Sequence, residues 1–334
     1  MAGAEADMRR KGVVISVVGP TAAGKTSLAI QLAQTLGTDI VSADARQVYR
    51  GMAIGTAQPT ASEREAVRHH LVDCLDPTEL YSAGMFEADA VPLLTSLCAS
   101  RGCAVLAGGS GMYVKAALEG LDDLPADLSI RAELTEALKT RGLPALVQQL
   151  RDLDPDHVEH MDIHNPQRVV RALEVCLASG KPFSSFHAHQ AKQRPWHLLQ
   201  VGLLPDRDTM RSRIAQRTHD MMAEGWLDEV RALWPLRHEN ALNTVGYKEL
   251  FMHVEGTCTL EEAVERIIIH TQQFAKRQLT WFKRDSTTTW FPFGGGTQST
   301  QSEAMKECVE FVLREMKSLS CLNHLNHPNQ RSNP

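Results

Sequence analysis

The eight residues GPTAAGKT, at positions 19–26, constrain the fold more strongly than any other stretch of the chain. A β-branched run, VVISVVG, precedes them and an amphipathic helical pattern follows, as a strand–loop–helix unit requires. Successive backbone N–H groups and the start of the helix form an anion cradle in such a loop. Lys25 adds a positive charge, and the Thr26 hydroxyl can ligate Mg²⁺. The residues predicted to bind phosphate are Gly19, Pro20, Thr21, Ala22, Ala23, Gly24, Lys25 and Thr26.

Further strand patterns cover residues 39–44, 71–76 and 103–111, the second of them weak. Their alternation with glycine-rich turns and helical patterns predicts an α/β fold, a doubly wound parallel sheet of the P-loop NTPase type. The loop itself says little about the reaction, because kinases, NTPases and prenyl transferases can all use one.

The pattern changes between residues 126 and 195, where no β-rich run occurs and a helical insertion is expected. Helices are predicted over 127–140 and 144–153, and from an N-cap at Asn165 with Pro166 at the first helical position. Strand character returns at 197–205, and long helical patterns follow at 206–235 and 261–284. We therefore expect a discontinuous core of residues 11–125 and 196–315, an insertion domain of residues 126–195 and a disordered tail of residues 316–334.

Composition is that of an ordinary soluble globular protein, with 22% charged and 43% hydrophobic residues and a net charge of −5. No apolar run approaches the length of a membrane span, and the N-terminus lacks the apolar segment of a signal or transit peptide. Seven cysteines without a C-x-x-C pair predict reduced thiols and a cytoplasmic protein. The net charge argues against DNA and non-specific binding of long nucleic acid, but a local basic cleft for one RNA remains compatible with it.

The C-terminal stretch CLNHLNHP brings three potential metal ligands together, Cys321, His324 and His327. A second thiolate at zinc-finger spacing is missing, so a polar, frayed terminus is the alternative interpretation.

Two further polar positions follow predicted strands. Asp44 ends the second strand, at the sheet edge where ligands bind, and it could hold Mg²⁺ or accept a proton. From its position alone, a turn aspartate fits equally well. The segment AGGSGMY offers close backbone approach at its glycines and a hydroxyl at Ser110, although a tight strand-to-helix turn has the same composition.

Taken together, six segments in order resemble the tRNA dimethylallyltransferase family: GPTAAGKT, SADARQVYRGMAIGTAQPT, GGSGMYVKAALEGL, NPQRVVRALEV, TVGYKEL and AKRQLTWFKRD. The resemblance spans residues 13–285. It implies transfer of a dimethylallyl group from dimethylallyl diphosphate to N6 of adenosine 37, in tRNAs that read codons starting with U. Mg²⁺ would be the cofactor, and diphosphate and N6-(dimethylallyl)adenosine the products.

The resemblance also implies roles for individual residues. Asp44 would be the base that takes the N6 proton, and Lys25, Thr26 and Arg217 would stabilise the departing diphosphate. Two positions depart from the family pattern: Ala45 replaces the usual serine, and Ser110 replaces the usual threonine. Gln47 stands where the family often reads the target nucleotide.

The anticodon stem-loop of tRNA is the expected partner, with adenine flipped out of its stack into a channel. The family prefers an A36-A37-A38 context. The residues expected to contact tRNA are Asp44, Ala45, Arg46, Gln47, Ser110, Arg131, Gln167, Arg168, Val169, Val170, Arg171, Asn243, Thr244, Val245, Gly246, Tyr247, Lys248, Lys276, Arg277, Gln278 and Trp281.

Basic and aromatic residues mix in NTVGYK and KRQLTWFK, so Tyr247, Trp281 or Phe282 could stack on an unpaired base. Core packing is the alternative for the last two, and we favour it for Phe282. The pairs Arg168/Arg171 and Arg213/Arg217 repel at helical spacing, which an anionic partner or a solvated face would each explain.

Three other functions fit part of this pattern. A cytokinin-forming enzyme would prenylate free adenine nucleotides, a small-molecule kinase would turn over ATP, and a nucleotide-gated RNA-binding module would bind tRNA without forming product. The helical insertion and the basic–aromatic segment favour tRNA prenylation by a monomer.

Overall fold

The structure, a computed structural model, describes residues 11–186, 191–295 and 298–325. Its described residues divide into two compact units, one formed by the chain up to Glu119 and from Gln193 onward, the other by Gly120–Lys192. The second unit thus begins about six residues earlier than the predicted insertion and ends three residues before residue 195.

A six-stranded, wholly parallel sheet forms the first unit, in the order β3-β2-β4-β1-β5-β6. Its strands are β1 Val13–Val18, β2 Ile40–Ser42, β3 His69–His70, β4 Cys103–Ala107, β5 His197–Pro205 and β6 Thr289–Phe293. Its helices are α1 Lys25–Leu36, α2 Ala61–Ala66, α3 Ala83–Arg101, α4 Gly111–Leu118, α9 Arg207–Ala223, α10 Trp226–Ala232, α11 Tyr247–Val254, α12 Leu260–Phe282 and α13 Gln298–Leu325. This confirms the predicted fold class.

Strand β1 lies at the centre of the sheet because its six residues are apolar or small and buried on both faces. Val14 and Val18 pack into one apolar cluster with α3, α4, α11 and α12, whereas Val13, Ile15 and Val17 pack into another with α1 and α13. The alternation follows from the two-residue period of a strand. Because β1 pairs with β4 on one side and β5 on the other, the phosphate-binding loop lies at the carboxyl end of the central strand, between these two neighbours.

The second unit is a helical bundle of α5 Leu128–Arg141, α6 Leu143–Leu153, α7 Pro155–His160 and α8 Pro166–Ser179. Asn165 caps α8 as predicted, since its side chain accepts hydrogen bonds from two backbone N–H groups, and the helix ends at Gly180. Leu146, Leu150, Val169 and Leu173 form the centre of an apolar core of the unit's own.

Several sequence-based boundaries were wrong, for local reasons. The weak strand predicted at 71–76 is a loop, because Leu71 and Asp73 adopt positive φ values of 61° and 54°, which strands do not contain. The helical pattern at 206–235 is divided by Gly225, at φ 98°.

The chain after residue 285 also differs from expectation. Strand β6 was not predicted, and its Pro292 suits the edge position that it occupies. The predicted disordered tail from residue 316 continues α13 as far as Leu325, because Met316 and Leu319 extend the apolar face that Ala304, Cys308 and Val312 bury.

None of the helices within the described ranges combines the length and apolar character that crossing a bilayer requires. The described residues also contain no group of three or more potential metal-ligating side chains, and Cys321, His324 and His327 lie beyond the side chains that the structure describes.

Candidate active site

The phosphate-binding loop carries backbone strain at its tip. Ala22 adopts φ 61°, which costs a non-glycine residue about 1–2 kcal/mol, and Gly24 adopts φ 92° as it caps α1. The Lys25 ammonium donates to the Pro20 carbonyl oxygen at 2.8 Å, across the loop. Strain of this kind is typical of ligand-binding loops.

A glutamine from α12 braces this loop against the second glycine turn. The Gln278 side chain accepts a hydrogen bond from Thr21 N at 2.8 Å and donates one to Gly109 O at 2.8 Å. Gln278 is only 7% exposed, so both ends of its amide are committed inside the protein. Gln278 thus braces the loop, and its side chain also lines a cavity at this edge of the sheet, so its predicted contact with tRNA stays a prediction.

Asp44 lies two residues after the end of β2, and one of its carboxylate oxygens is bonded within the loop. Oδ1 accepts from Arg46 N at 2.9 Å and Gln47 N at 3.3 Å, which is the turn role that its position allowed. Oδ2 has no hydrogen-bond donor in the described part of the chain. The Ser110 hydroxyl accepts from Ala45 N at 2.9 Å, so the second glycine turn fixes the aspartate loop.

The Gln47 side chain is held by its own surroundings. It donates to Thr56 O and Ala57 O at 3.2 and 2.8 Å and accepts from the Ser42 hydroxyl at 3.2 Å. An amide with these three partners has little capacity left to read a base, so the expected role for Gln47 in recognition requires it to exchange partners.

A cavity of about 510 Å³ joins these elements. The described residues that line it include four cationic side chains and one carboxylate, namely Lys25, Arg46, Arg217, Lys248 and Asp44. The lining also includes apolar side chains, namely Ile214 and Met221 of α9, Ile267 and Phe274 of α12, and Val245. Ile214 and Met221 were not predicted as site residues, because their helical spacing resembles that of core residues.

Burial dominates the electrostatics of this cavity. Desolvation lowers the pKa of Lys25 to about 8; Asp44 opposes that shift, and the positive charge of Arg217 adds to it. Burial also lowers the pKa of the Arg217 guanidinium. No salt bridge to either cation occurs in the described part of the chain, so two desolvated cations share one nearby carboxylate. Such a site favours an additional anion.

We expect the affinity for inorganic diphosphate to fall as pH rises above about 8. Bound diphosphate favours the ammonium form of Lys25, so binding above the pKa of the free protein must take up a proton. The affinity should then fall by up to about tenfold per pH unit, measured by calorimetry between pH 7 and 10. In Lys25→Arg the guanidinium stays protonated, and this dependence should disappear; an identical slope in both proteins would contradict the prediction.

The segment NTVGYK lines the same cavity with Asn243, Thr244, Val245 and Lys248. Tyr247 is fully buried, and its hydroxyl donates to Glu229 Oε1 at 2.6 Å. The same carboxylate accepts from Ile54 N and Gly55 N at 2.7 and 2.9 Å. The prediction that Tyr247 stacks on a base was therefore wrong in this structure, because the ring is part of the core.

Replacing Tyr247 with phenylalanine should destabilise the fold by about 1.5–3 kcal/mol, since it removes a buried hydrogen bond to a carboxylate. Urea unfolding measures this cost. Tyr49→Phe is the matched control, because the Tyr49 hydroxyl donates to a neutral carbonyl at 3.2 Å and its loss should cost less. The KM for tRNA should not change in Tyr247→Phe, and a rise in that KM without loss of stability would restore a direct RNA contact.

Two arginines of the second unit are also committed internally. Arg131 and Arg171 both pair with the fully buried Glu174, at 2.6 and 3.0 Å. These cations lower the pKa of Glu174 against the opposing effect of burial, so the three side chains form one internal ion cluster. Val169 and Val170 lie in the core of this unit, so their predicted contact with tRNA cannot involve the side chains. Gln167 and Arg168 are exposed at the start of α8.

The end of α12 presents a mixture of exposed and buried residues. Lys276 and Arg277 are exposed. Trp281 is half-buried against Gly111, where a Cβ atom would collide with the indole ring. Phe282 lies in the core as favoured.

Two other predicted tRNA contacts lie outside α12. Gly246 is buried, and Arg46 donates to the carbonyl oxygens of Asn240 and Asn243 at 2.9 and 3.5 Å.

Comparison with known proteins identifies the family of this chain. Residues 47–285 match the model of the family described as IPP transferase, and those residues make up most of the chain. The chain belongs to the IPP transferase family. It is 44% identical to tRNA dimethylallyltransferase 2 of Parabacteroides distasonis over 282 residues, 83% of this chain and 93% of that protein. The resemblance found in the sequence motifs is thereby confirmed.

Solved structures of IPP transferases agree with the fold. The tRNA isopentenylpyrophosphate transferase of Bacillus halodurans is 35% identical, with a TM-score of 0.69, over 94% of this chain and 100% of that one. A eukaryotic dimethylallyltransferase acting on tRNA superposes with a TM-score of 0.78 over 96% of this chain and 81% of that one. At 23% identity, the second comparison supports the fold alone.

Proposed function

We propose that this IPP transferase moves a dimethylallyl group from dimethylallyl diphosphate to N6 of adenosine 37 in tRNA, releasing diphosphate. The observation that carries the proposal is the combination of side chains in one cavity. Lys25 and Arg217 supply buried positive charge, Asp44 supplies one carboxylate with a free oxygen, and apolar side chains complete the lining. Diphosphate, a proton-releasing amine and a five-carbon chain need these three environments.

The donor would place its diphosphate on the phosphate-binding loop. Cleavage of the allylic C1–O bond leaves negative charge on diphosphate and positive character on C1. The backbone N–H groups of the loop, Lys25 and Arg217 would stabilise the departing anion in a site where water does not screen them. Ile214, Met221, Ile267 and Phe274 would enclose the dimethylallyl group.

The acceptor would present its exocyclic amine to Asp44. As N6 attacks C1, its proton must leave, and Asp44 Oδ2 is free to accept it while Oδ1 remains bonded to the loop. The base has to leave its stack to reach this carboxylate, so the anticodon stem-loop would deliver a flipped adenine. Ser110 would affect the acceptor indirectly, because its hydroxyl accepts a hydrogen bond from Ala45 N and so holds the loop that carries Asp44.

The site also fits Mg²⁺. The Thr26 hydroxyl lines the cavity and has no protein hydrogen-bond partner within the described residues. Mg²⁺ prefers oxygen ligands and is often bound through one or two protein groups together with substrate phosphates. Thr26 and the donor diphosphate would therefore hold the ion, which would neutralise part of the phosphate charge when bound.

We further propose a monomer that acts in the cytoplasm. The described cysteines, Cys74, Cys98, Cys103, Cys176, Cys258 and Cys308, are free, as a reducing compartment requires.

A transfer assay tests the proposal. Purified protein is incubated with Mg²⁺, radiolabelled dimethylallyl diphosphate and unmodified tRNA, with AMP as the parallel acceptor. Label should enter tRNA, and digestion should place it on adenosine 37. A tRNA with that adenosine replaced by guanosine is the matched control.

Other results would replace the proposal. Label in AMP alone would indicate a cytokinin-forming enzyme. ATP consumption without transfer to either acceptor would indicate a kinase or NTPase, and tRNA binding without product would indicate an RNA-binding module.

A further inference from the structure

Arg213 and Arg217 of α9 have different surroundings. Arg217 lines the cavity, whereas Arg213, one helical turn earlier, points to the C-terminal helix α13. The Arg213 guanidinium donates to Gln301 Oε1 at 2.6 Å and lies over the Phe293 ring, 4.8 Å from its centroid. No salt bridge to Arg213 occurs in the described part of the chain. The partner of this guanidinium is thus the neutral amide of a glutamine, where a carboxylate would be usual.

The contact with Arg213 fixes the orientation of the Gln301 amide. A guanidinium group only donates hydrogen bonds, so the amide oxygen must face it and the NH₂ group must point away. That NH₂ group lies against Gly24, so closely that a Cβ atom at position 24 would collide with Gln301 Nε2. Gln301 therefore connects Arg213 to the residue that caps α1.

Both ends of this connection adjoin the site of the diphosphate. Gly24 immediately precedes Lys25 and Thr26, and Arg213 lies one turn from Arg217 on α9. The helix that carries Gln301 is anchored by Ala304, Cys308, Val309 and Val312, which pack with α1 and β5. Gln301 lies beyond residue 285, where the match to the family model ends.

We propose that Gln301 and Arg213 form a positioning pair for the diphosphate site. Gln301 would hold the phosphate-binding loop at Gly24, and Arg213 would hold Gln301, so that the loop and the helix bearing Arg217 keep a fixed separation. The proposal rests on the proposed function only in assuming that diphosphate binds at this loop. The C-terminal helix α13 would then help to set the geometry of the diphosphate site.

Gln301→Ala should weaken binding of inorganic diphosphate by about tenfold, as expected for loss of a charge-assisted hydrogen bond that orders a binding loop. Calorimetry measures this binding without any transfer reaction. In the transfer assay the KM for dimethylallyl diphosphate should rise, while the KM for tRNA stays unchanged. Arg213→Lys should have a similar effect although it keeps the charge, because an ammonium group lacks the planar guanidinium geometry.

Two comparisons separate positioning from stability and from charge. Val312→Ala removes a fully buried side chain of the same helix far along the chain from Gln301, so it should lower thermal stability and leave diphosphate affinity unchanged. The double variant Gln301→Ala/Arg213→Lys should lose no more affinity than either single variant, because both changes break one connection.

The outcomes are distinguishable. If the wild-type protein does not bind diphosphate, the proposed function fails and so does the pair. If the wild type binds and Gln301→Ala binds equally well, the positioning role is overturned. Equal losses in Gln301→Ala and Val312→Ala would also overturn it, because the helix would then act through stability alone.

Discussion

Replacing Asp44 with asparagine should slow transfer of the dimethylallyl group by roughly 10²- to 10⁴-fold, the usual contribution of a general base. The change is nearly isosteric. Asparagine retains an Oδ1 atom that can accept from Arg46 N and Gln47 N, so the loop after β2 should keep its conformation. Only the charge and the proton-accepting Oδ2 atom are lost. Single-turnover kinetics with tRNA in excess measures the effect on the chemical step.

Binding measurements make this test specific. At a pH low enough to keep Lys25 protonated in both proteins, diphosphate and tRNA affinities should change little in Asp44→Asn, because one carboxylate contributes less to binding than the four cations that line the cavity. Ala45→Ser is the matched control in the neighbouring position, where the family usually has serine, and it should leave the rate within a few-fold of the wild type. An Asp44→Asn protein that transfers at the wild-type rate would remove Asp44 as the base.

The position of the site was predictable because its main parts are local in sequence. A glycine-rich loop after a β-branched run and an aspartate at the end of a strand each carry their own signal. Parallel strands then bring their carboxyl ends to one edge of the sheet, which is why Lys25 and Asp44 line the same cavity. The resemblance to the family predicted that Arg217 contacts the diphosphate. Its helical spacing alone was equally compatible with a solvated face.

The contacts that organise this edge were not predictable, because they join residues far apart in the chain. Gln278 connects Thr21 with Gly109, and Gln301 lies against Gly24. A lone glutamine on a helix has no pattern that shows its partner. The same limit explains Tyr247 and Arg131, whose types suit RNA contact but whose acidic partners, Glu229 and Glu174, are visible only in three dimensions.

Replacing Arg217 with alanine should lower kcat/KM for dimethylallyl diphosphate by about 10²- to 10³-fold, the usual cost of losing one preorganised group that stabilises a developing anion. Arg217 lines the cavity near Lys25, and the effect of its charge on the pKa of Lys25 shows that the two cations interact. Two like charges are held together here at an energetic cost, which a bound anion would relieve. We therefore expect diphosphate to bind between them.

Another arginine of α9, Arg211, provides the control. Arg211 is exposed on α9 and lies outside the cavity lining, so Arg211→Ala removes the same charge with little change in kcat/KM. If both variants lose activity equally, the effect is one of overall charge or RNA binding. The pKa of Lys25 should also rise in Arg217→Ala, because a neighbouring cation is removed, so the fall in diphosphate affinity with pH should begin above pH 8. That shift would be independent of the transfer reaction, and its absence would mean that Arg217 does not share the site with Lys25.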